Sequence, residues 1–138
     1  MAGIDYKKAS AVIFDPVHVN LRTTRYALHE IGFREIESIG SLAEMRRRID
    51  EKPAHLIVLE TSQNEAEVFR LVRAIRSGEV GGNAFMAILL TCWVRDGNIL
   101  KQAIGSGADD VIIRPFSTSF VEERIRTLVK ARKPFIVT

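Results

Sequence analysis

Four short apolar runs constrain this chain more than any other feature: Ala11-Val12-Ile13-Phe14, Leu56-Ile57-Val58-Leu59, Phe85 to Leu90, and Val111-Ile112-Ile113. None of them alternates apolar with polar residues. A run of that kind suits a strand covered on both faces, as in a parallel sheet with crossover helices above and below. Each run leads into a polar residue: Asp15 before Pro16, Glu60 before Thr61, Thr91 before Cys92, and Arg114 before Pro115. Proline donates nothing to a strand ladder, so the first and last runs stop there. Those polar residues then fall at the carboxyl edge of the sheet, where open α/β folds bind their ligands.

The segments between the runs read as helices. Leu21, Leu28 and Ile31 form a helical stripe, with Thr24 or Arg25 between them, that stops at Gly32. Phe33 to Ile39 is expected to be a fifth strand. Ser41 and Glu44 have capping-box spacing, and Leu42, Met45 and Ile49 line the helix they open, which Lys52-Pro53 closes. That leaves Arg46, Arg47 and Arg48 towards solvent. Val68, Val72 and Ile75 follow the Thr61–Asn64 loop at helical spacing, with Arg70, Arg73 and Arg76 on the other face. Ser77 to Asn83 holds three glycines and reads as a loop. Ile99, Ala103 and Ile104 supply the next apolar face, closing at Gly105 and Gly107. Ser119 with Glu122 offers a second capping box, for a last helix faced by Val121, Ile125, Leu128 and Val129. Five strand–helix alternations predict an α/β fold: a doubly wound, five-stranded parallel sheet of flavodoxin-like order 2-1-3-4-5, with helices on both faces.

The 138 residues fit a single domain, with a core from about 10 to 132. A short extended tail, 133–138, follows, and its abrupt end suggests truncation from a longer chain. No apolar run approaches the roughly 20 residues of a membrane span, and residues 1–10 lack the apolar centre of a secretory signal. The single cysteine, Cys92, excludes an internal disulfide and fits the reducing cytoplasm. The net charge of +3 comes largely from arginines spaced along helix faces, so it reads as solvated surface. Nucleic acid is therefore not expected as a partner, although arginine-rich helices leave anion or nucleic-acid binding as an alternative. His18, His29 and His55 form no ligand spacing with one another or with Cys92. Cys92 has no histidine partner and reads as a small core residue. Trp93, two residues past Thr91, falls in a loop beside the cleft.

Ends of strands one, three, four and five would bring Asp15, Glu60, Thr91 and Arg114 into one cleft. From Ala11 to about Arg132 the chain resembles a response-regulator receiver domain. The segment Gly107-Ala108-Asp109-Asp110-Val111-Ile112-Ile113-Arg114-Pro115-Phe116 is similar to that family's G-A-D-D-x-(I/V)-x-K-P-F stretch. Leu56-Ile57-Val58-Leu59 resembles its D-L-I-(V/L)-(L/M)-D strand, and Leu90-Thr91 the strand that ends in Thr or Ser. The resemblance implies a module of two-component, phosphorelay-type signalling. In such modules an aspartate accepts a phosphoryl group from a histidine kinase. A Mg²⁺ held by acidic residues assists, and a Lys and a Thr or Ser engage the phosphoryl oxygens.

Transferred position by position, the pattern is degenerate. Asp15 matches the first member of the acidic pair, but Pro16 stands at the second and offers no ligand. Glu60 stands at the phosphoacceptor position in place of Asp. Thr91 is retained, and Arg114 replaces the Lys beside Pro115, whose preceding peptide bond the resemblance implies to be cis. Val111 stands where an aromatic switch residue is common. Mg²⁺ is held through carboxylates, waters and phosphate oxygens, so Asp15 and Glu60 are expected to bind it weakly at most, and no other cofactor is expected. Glu60 is longer than Asp by about 1.5 Å, one C–C bond, and displacements near 1 Å can cost about 100-fold in rate. A planar guanidinium can instead take a carboxylate through two parallel hydrogen bonds. The expectation is a permanent Glu60–Arg114 pair, with Thr91 nearby; the alternative is an abandoned pocket with Arg114 turned to solvent. The chain is thus expected to be a non-enzymatic pseudo-receiver with no small-molecule substrate and no membrane contact. It would bind a signalling protein, or itself, through the 96–132 face. An active phosphorelay receiver using Glu60 or another acceptor is the competing expectation.

Overall fold

The computed structural model describes residues 5–93, 96–114 and 117–131. Pro115 and the tail 133–138, for which a cis bond and an extended run are expected, lie outside the described residues. Five strands, β1 (Ser10–Phe14), β2 (Glu35–Ile39), β3 (Leu56–Glu60), β4 (Ala87–Cys92) and β5 (Asp110–Ile113), form one parallel sheet in the order β2-β1-β3-β4-β5. The crossovers are α1 (His18–Ile31), α2 (Leu42–Glu51), α3 (Glu65–Ser77) and α4 (Gly97–Ser106), with α5 (Thr118–Ala131) closing the chain. The sequence pattern predicts this α/β architecture and strand order. Among the described residues, no helix is long and apolar enough to cross a membrane.

Strand alternation splits the core in two. Val12, Phe14, Ile57, Leu59, Ile88 and Leu90 face α2, α3 and α4. Ala11, Ile13, Leu56, Val58, Ala87, Leu89 and Ile112 face α1 and α5. The central strands β1, β3 and β4 are buried along their whole length, whereas β2, at one edge, is largely exposed.

Several local expectations are corrected. β4 begins at Ala87 and runs through Thr91 and Cys92; Phe85 lies in the preceding turn and is 59% exposed. In α4 the inward positions are Ile99, Ala103 and Ser106, spaced i, i+4, i+7, which turns Ile104 outwards, and Gly105 stays helical while Gly107 caps. The last helix is capped by Ser117 rather than Ser119: the Ser117 hydroxyl accepts from the Phe120 amide, two residues earlier than the spacing suggested. Ser41 accepts from the Glu44 amide as a capping box requires, but the Glu44 carboxylate reaches the Gly40 amide instead. Arg48 is not free on the solvent face, since it pairs with Glu37 at 2.7 Å and donates to the Lys52 carbonyl.

Arg76 also departs from its expected solvent face. It donates to the carbonyls of Gly107, Ala84 and Met86 and pairs with Asp109 at 3.0 Å. Gly107 has φ +116°, and a Cβ there would lie 2.6 Å from Arg76 Cγ, so only glycine fits the approach. The Asp109 carboxylate meanwhile accepts from the Ile88 amide. This staple ties the end of α3 to the edge of the sheet opposite the carboxyl edge.

Candidate functional site

Side-chain parity assembles the site. Ile13, Val58, Leu89 and Ile112 point to the α1/α5 face. Asp15, Glu60, Thr91 and Arg114 each follow one of these by two residues and therefore emerge on the same face, one layer beyond the core. The parallel register aligns them, with Phe14 opposite Leu59, Glu60 opposite Thr91 and Cys92 opposite Ile113. The Arg114 amide donates to the Cys92 carbonyl at 2.8 Å, which carries the β4–β5 ladder one residue further and directs the arginine inwards.

All four residues meet. Arg114 Nε donates to Glu60 Oε2 at 2.9 Å, while Nη2 donates to Asp15 Oδ2 and, at 3.1 Å, to Thr91 Oγ1. The Thr91 hydroxyl donates to Glu60 Oε2 at 2.9 Å, so it accepts from the arginine and donates to the carboxylate at once. The side chains of Arg114, Asp15 and Glu60 are only 1%, 2% and 3% exposed. Arg114 does not turn to solvent.

Backbone amides complete the two carboxylates. Val17 N donates to Asp15 Oδ1 at 2.9 Å, and Ser62 N donates to Glu60 Oε1 at 2.8 Å. Both are contacts from a side chain to the amide two residues on, a local turn chemistry that fixes the β1–α1 and β3–α3 loops. The Ser62 hydroxyl then accepts from the Trp93 amide at 2.9 Å. The Trp93 ring centroid lies 5.8 Å from Arg114 Cζ, within cation–π range, and Trp93 is 48% exposed. A chain of contacts therefore runs from the buried pair to an indole at the surface.

The electrostatics are unbalanced, with two carboxylates facing one guanidinium. Burial raises the Asp15 pKa; the Val17 amide and Arg114 pull it down, and the Glu60 charge adds to the rise. The chemistry this arrangement performs is ion-pair locking of three loops. The receiver resemblance implies Mg²⁺, and the donor set does not fit it. Glu60 Oε2 and Asp15 Oδ2 both accept from Arg114, Pro16 adds no ligand, and a divalent cation there would lie against a guanidinium. Among the described residues, no group of three or more His, Cys, Asp and Glu side chains is placed to hold a metal ion.

The structure brings together Asp15, Glu60, Thr91 and Arg114, and Pro115 lies outside the described residues. His18 and His29 are exposed on α1, away from Cys92, which is buried beside Thr61 and Ile99. His55 does more than start a strand: its Nδ1 accepts from the Ser10 amide at 3.0 Å. Sequence reasoning missed Ser62 and the engagement of Asp15 by Arg114. The i, i+2 spacing from Glu60 was the available signal for Ser62.

No family model matches the chain. It is 24% identical over 107 residues to a probable chemotaxis protein CheY of Rhizobium etli, covering 78% of this chain and 81% of that protein. It is 25% identical over 114 residues to the phosphate regulon transcriptional regulatory protein PhoB of Rhizobium meliloti. That match covers 83% of this chain but 49% of the relative, so the chain spans about half that protein's length. Among solved structures, a CheY-like response regulator receiver domain protein from Methanospirillum hungatei superposes with a TM-score of 0.77 at 17% identity, over 91% of this chain and 96% of that one. HP1043, an orphan response regulator of H. pylori, gives 0.76 at 18% identity over 88% and 97%. The chain has the CheY-like response-regulator receiver fold.

Proposed function

We propose that this chain is a cytoplasmic receiver-type signalling module whose phosphorylation pocket is filled by its own Arg114, and which acts through protein–protein contact rather than Mg²⁺-dependent phosphoryl transfer. The observation that carries it is the buried guanidinium donating to Asp15, Glu60 and Thr91 together. In-line phosphoryl transfer depends on positioning and on charge stabilisation around the transferred group. Both Glu60 oxygens already accept hydrogen bonds, from Ser62, Thr91 and Arg114, and the acceptor position is closed to solvent. A phosphoryl group would have to displace the arginine and then compete with a carboxylate tethered beside it.

The loops that phosphorylation would order in a responsive receiver are held here by internal bonds. Glu60 supplies about one negative charge where a phosphoryl group would supply about two, so the locked arrangement is its own state rather than a copy of a phosphorylated one. The partner face in this proposal is the 96–132 side. There Ile104 of α4 is 54% exposed and Phe120 of α5 is 37% exposed, on either side of the half-buried Val111 and Ile113 of β5. Arg124 pairs with Asp110 and fixes α5 to that strand.

The test is incubation with a small-molecule phosphodonor and Mg²⁺, read by intact mass. No phosphoryl adduct is expected, and a stoichiometric adduct on Glu60 overturns the proposal. Sedimentation of the wild type and of Ile104→Glu then reads self-association through that face.

A further inference from the structure

Most arginines of the fold have partners. Arg48, Arg76, Arg114, Arg124 and Arg126 each pair with a carboxylate, and Arg25 donates to the Ile36 carbonyl and the Ser38 hydroxyl. Arg46 and Arg47 on α2, and Arg70 and Arg73 on α3, are exposed, and among the described residues none of the four has a salt bridge or hydrogen bond. Two carboxylates of α2 are committed to backbone amides, Glu44 to Gly40 and Asp50 to Gly81 at 2.6 Å. Arg46 and Arg70 line one groove between the two helices, about 220 Å³ in volume, together with Leu42, Ala43, Glu67 and Leu71. Arg73 follows Arg70 by one turn on the same side of α3. Met45 and Ile49 carry the packing of α2 on the sheet, and the short Ala43 side chain leaves the space towards α3 unfilled. We infer that the α2–α3 groove is a docking surface for an acidic protein segment that carries an aliphatic anchor, with the anchor on Leu42, Ala43 and Leu71 and the flanking carboxylates on the arginines.

Exposed arginines alone are ordinary surface. What sets these apart is the apolar floor between them. A guanidinium takes a carboxylate through two parallel hydrogen bonds, so unpaired arginines on two neighbouring helices suit an acidic chain laid between them. Charge of this kind steers and selects a partner, while burial of an aliphatic side chain supplies affinity. A phosphate backbone fits less well: it has no apolar group for Leu42 and Leu71, and Glu67 in the lining would repel it. The surface is separate from the 96–132 face of the proposed function. α3 packs against α2 on one side and α4 on the other, so a partner in the α2–α3 groove leaves the exposed Ile104 of α4 uncovered. The inference therefore stands or falls independently of that reading.

The experiment is titration calorimetry of the full chain with a short synthetic peptide of glutamates around central leucines. Saturable one-to-one binding is expected, weakening as sodium chloride is raised. Replacing the leucines by serine should weaken it about tenfold or more, the scale of one buried aliphatic side chain. Arg46→Glu with Arg70→Glu should weaken it at least as much, at an unchanged melting temperature because both positions are exposed. A charge-swapped peptide, with lysines in place of the glutamates, should bind that double variant better than it binds the wild type, which a variant that merely failed to fold would not do. Ile104→Glu should leave the titration unaltered. No binding by the wild type, equal binding of the serine peptide, or loss of binding in Ile104→Glu overturns the inference. So does duplex DNA or an anionic phosphatidylglycerol vesicle that binds as tightly as the peptide at the same salt, since the arginines would then serve a phosphate surface. If the wild type sediments as an oligomer and the double variant as a monomer, the occupant is a second copy, and the acidic-segment assignment is likewise overturned.

Discussion

Glu60→Gln tests the pocket most directly, because it removes one charge with almost no change in shape. Glu60 Oε1 accepts from the Ser62 amide, and Oε2 accepts from both the Thr91 hydroxyl and Arg114 Nε. A glutamine has one acceptor oxygen and one NH₂ group. Whichever way it is turned, one N–H donor faces another, either at Ser62 or at Arg114. A hydrogen bond to a charged group is worth about 1.5–3 kcal/mol, and breaking a buried pair outright costs about 3–5 kcal/mol. Arg114 keeps Asp15 as a partner, so the loss should fall at the overlap, about 3 kcal/mol. With 138 residues at about 2.1 cal/mol/K each, that corresponds to a fall of about 10 °C in melting temperature. Calorimetry and urea midpoints of Glu60→Gln, Arg114→Met and the double variant complete a cycle, in which the coupling between the two sites should reach about 2 kcal/mol. The loss should be insensitive to added salt, unlike that of a surface pair. A melting temperature within about 2 °C of the wild type, or additivity to within about 0.5 kcal/mol, would refute the view that this pair holds the loops.

Asp15 adds a pH dependence of its own. Its carboxyl is raised above 3.8 in the fold, so the stability it contributes is fully present below that value and is lost as pH rises through its folded pKa. Asp15→Asn is therefore expected to flatten the fall in stability as pH rises above 3.8, in addition to the cost of losing the ion pair with Arg114, as melting curves across pH will show. His55 is held below 6.5 by burial. Its contribution is present above 6.5 and is lost as pH falls through the lower folded value, and His55→Gln should flatten that part of the urea-midpoint profile. Arg76→Ala takes the cationic partner from Asp109, which keeps the Ile88 amide, and a donor from three carbonyls, and should cost about 3 kcal/mol. Arg76→Lys should fail to restore it, and native Trp93 emission should stay unchanged, because the staple lies at the opposite edge of the sheet.

The sheet was legible because unalternated apolar runs admit few other folds, and the four strand-end residues followed from where those runs stop. What escaped depended on contacts between distant segments. Arg70, Arg73 and Arg76 have the same spacing pattern, yet only Arg76 sits at the helix end, where carbonyls of the 84–86 segment and of Gly107 come within reach. Ile104 looked like core because apolar residues neighbour it, but the phase set by Ile99, Ala103 and Ser106 turns it out. Asp15 was assigned to a weak metal site because its distance from Arg114 depends on the relative height of β1 and β5, which no local pattern encodes. The acceptor role of His55 likewise needs the Ser10 amide from a neighbouring strand.

The Asp15–Arg114 contact closes a loop of 99 residues. Bringing such distant segments together requires the intervening strand–helix units to be largely docked, since the entropy of ordering so much chain is repaid only by many contacts together. The bond therefore forms on the native side of the folding barrier. Interactions made there do little for the rate at which a chain folds and much for how long it stays folded. Arg114 thus acts as a latch on the lifetime of the native state: weakening it should shorten residence in the folded form while refolding proceeds at nearly its usual speed.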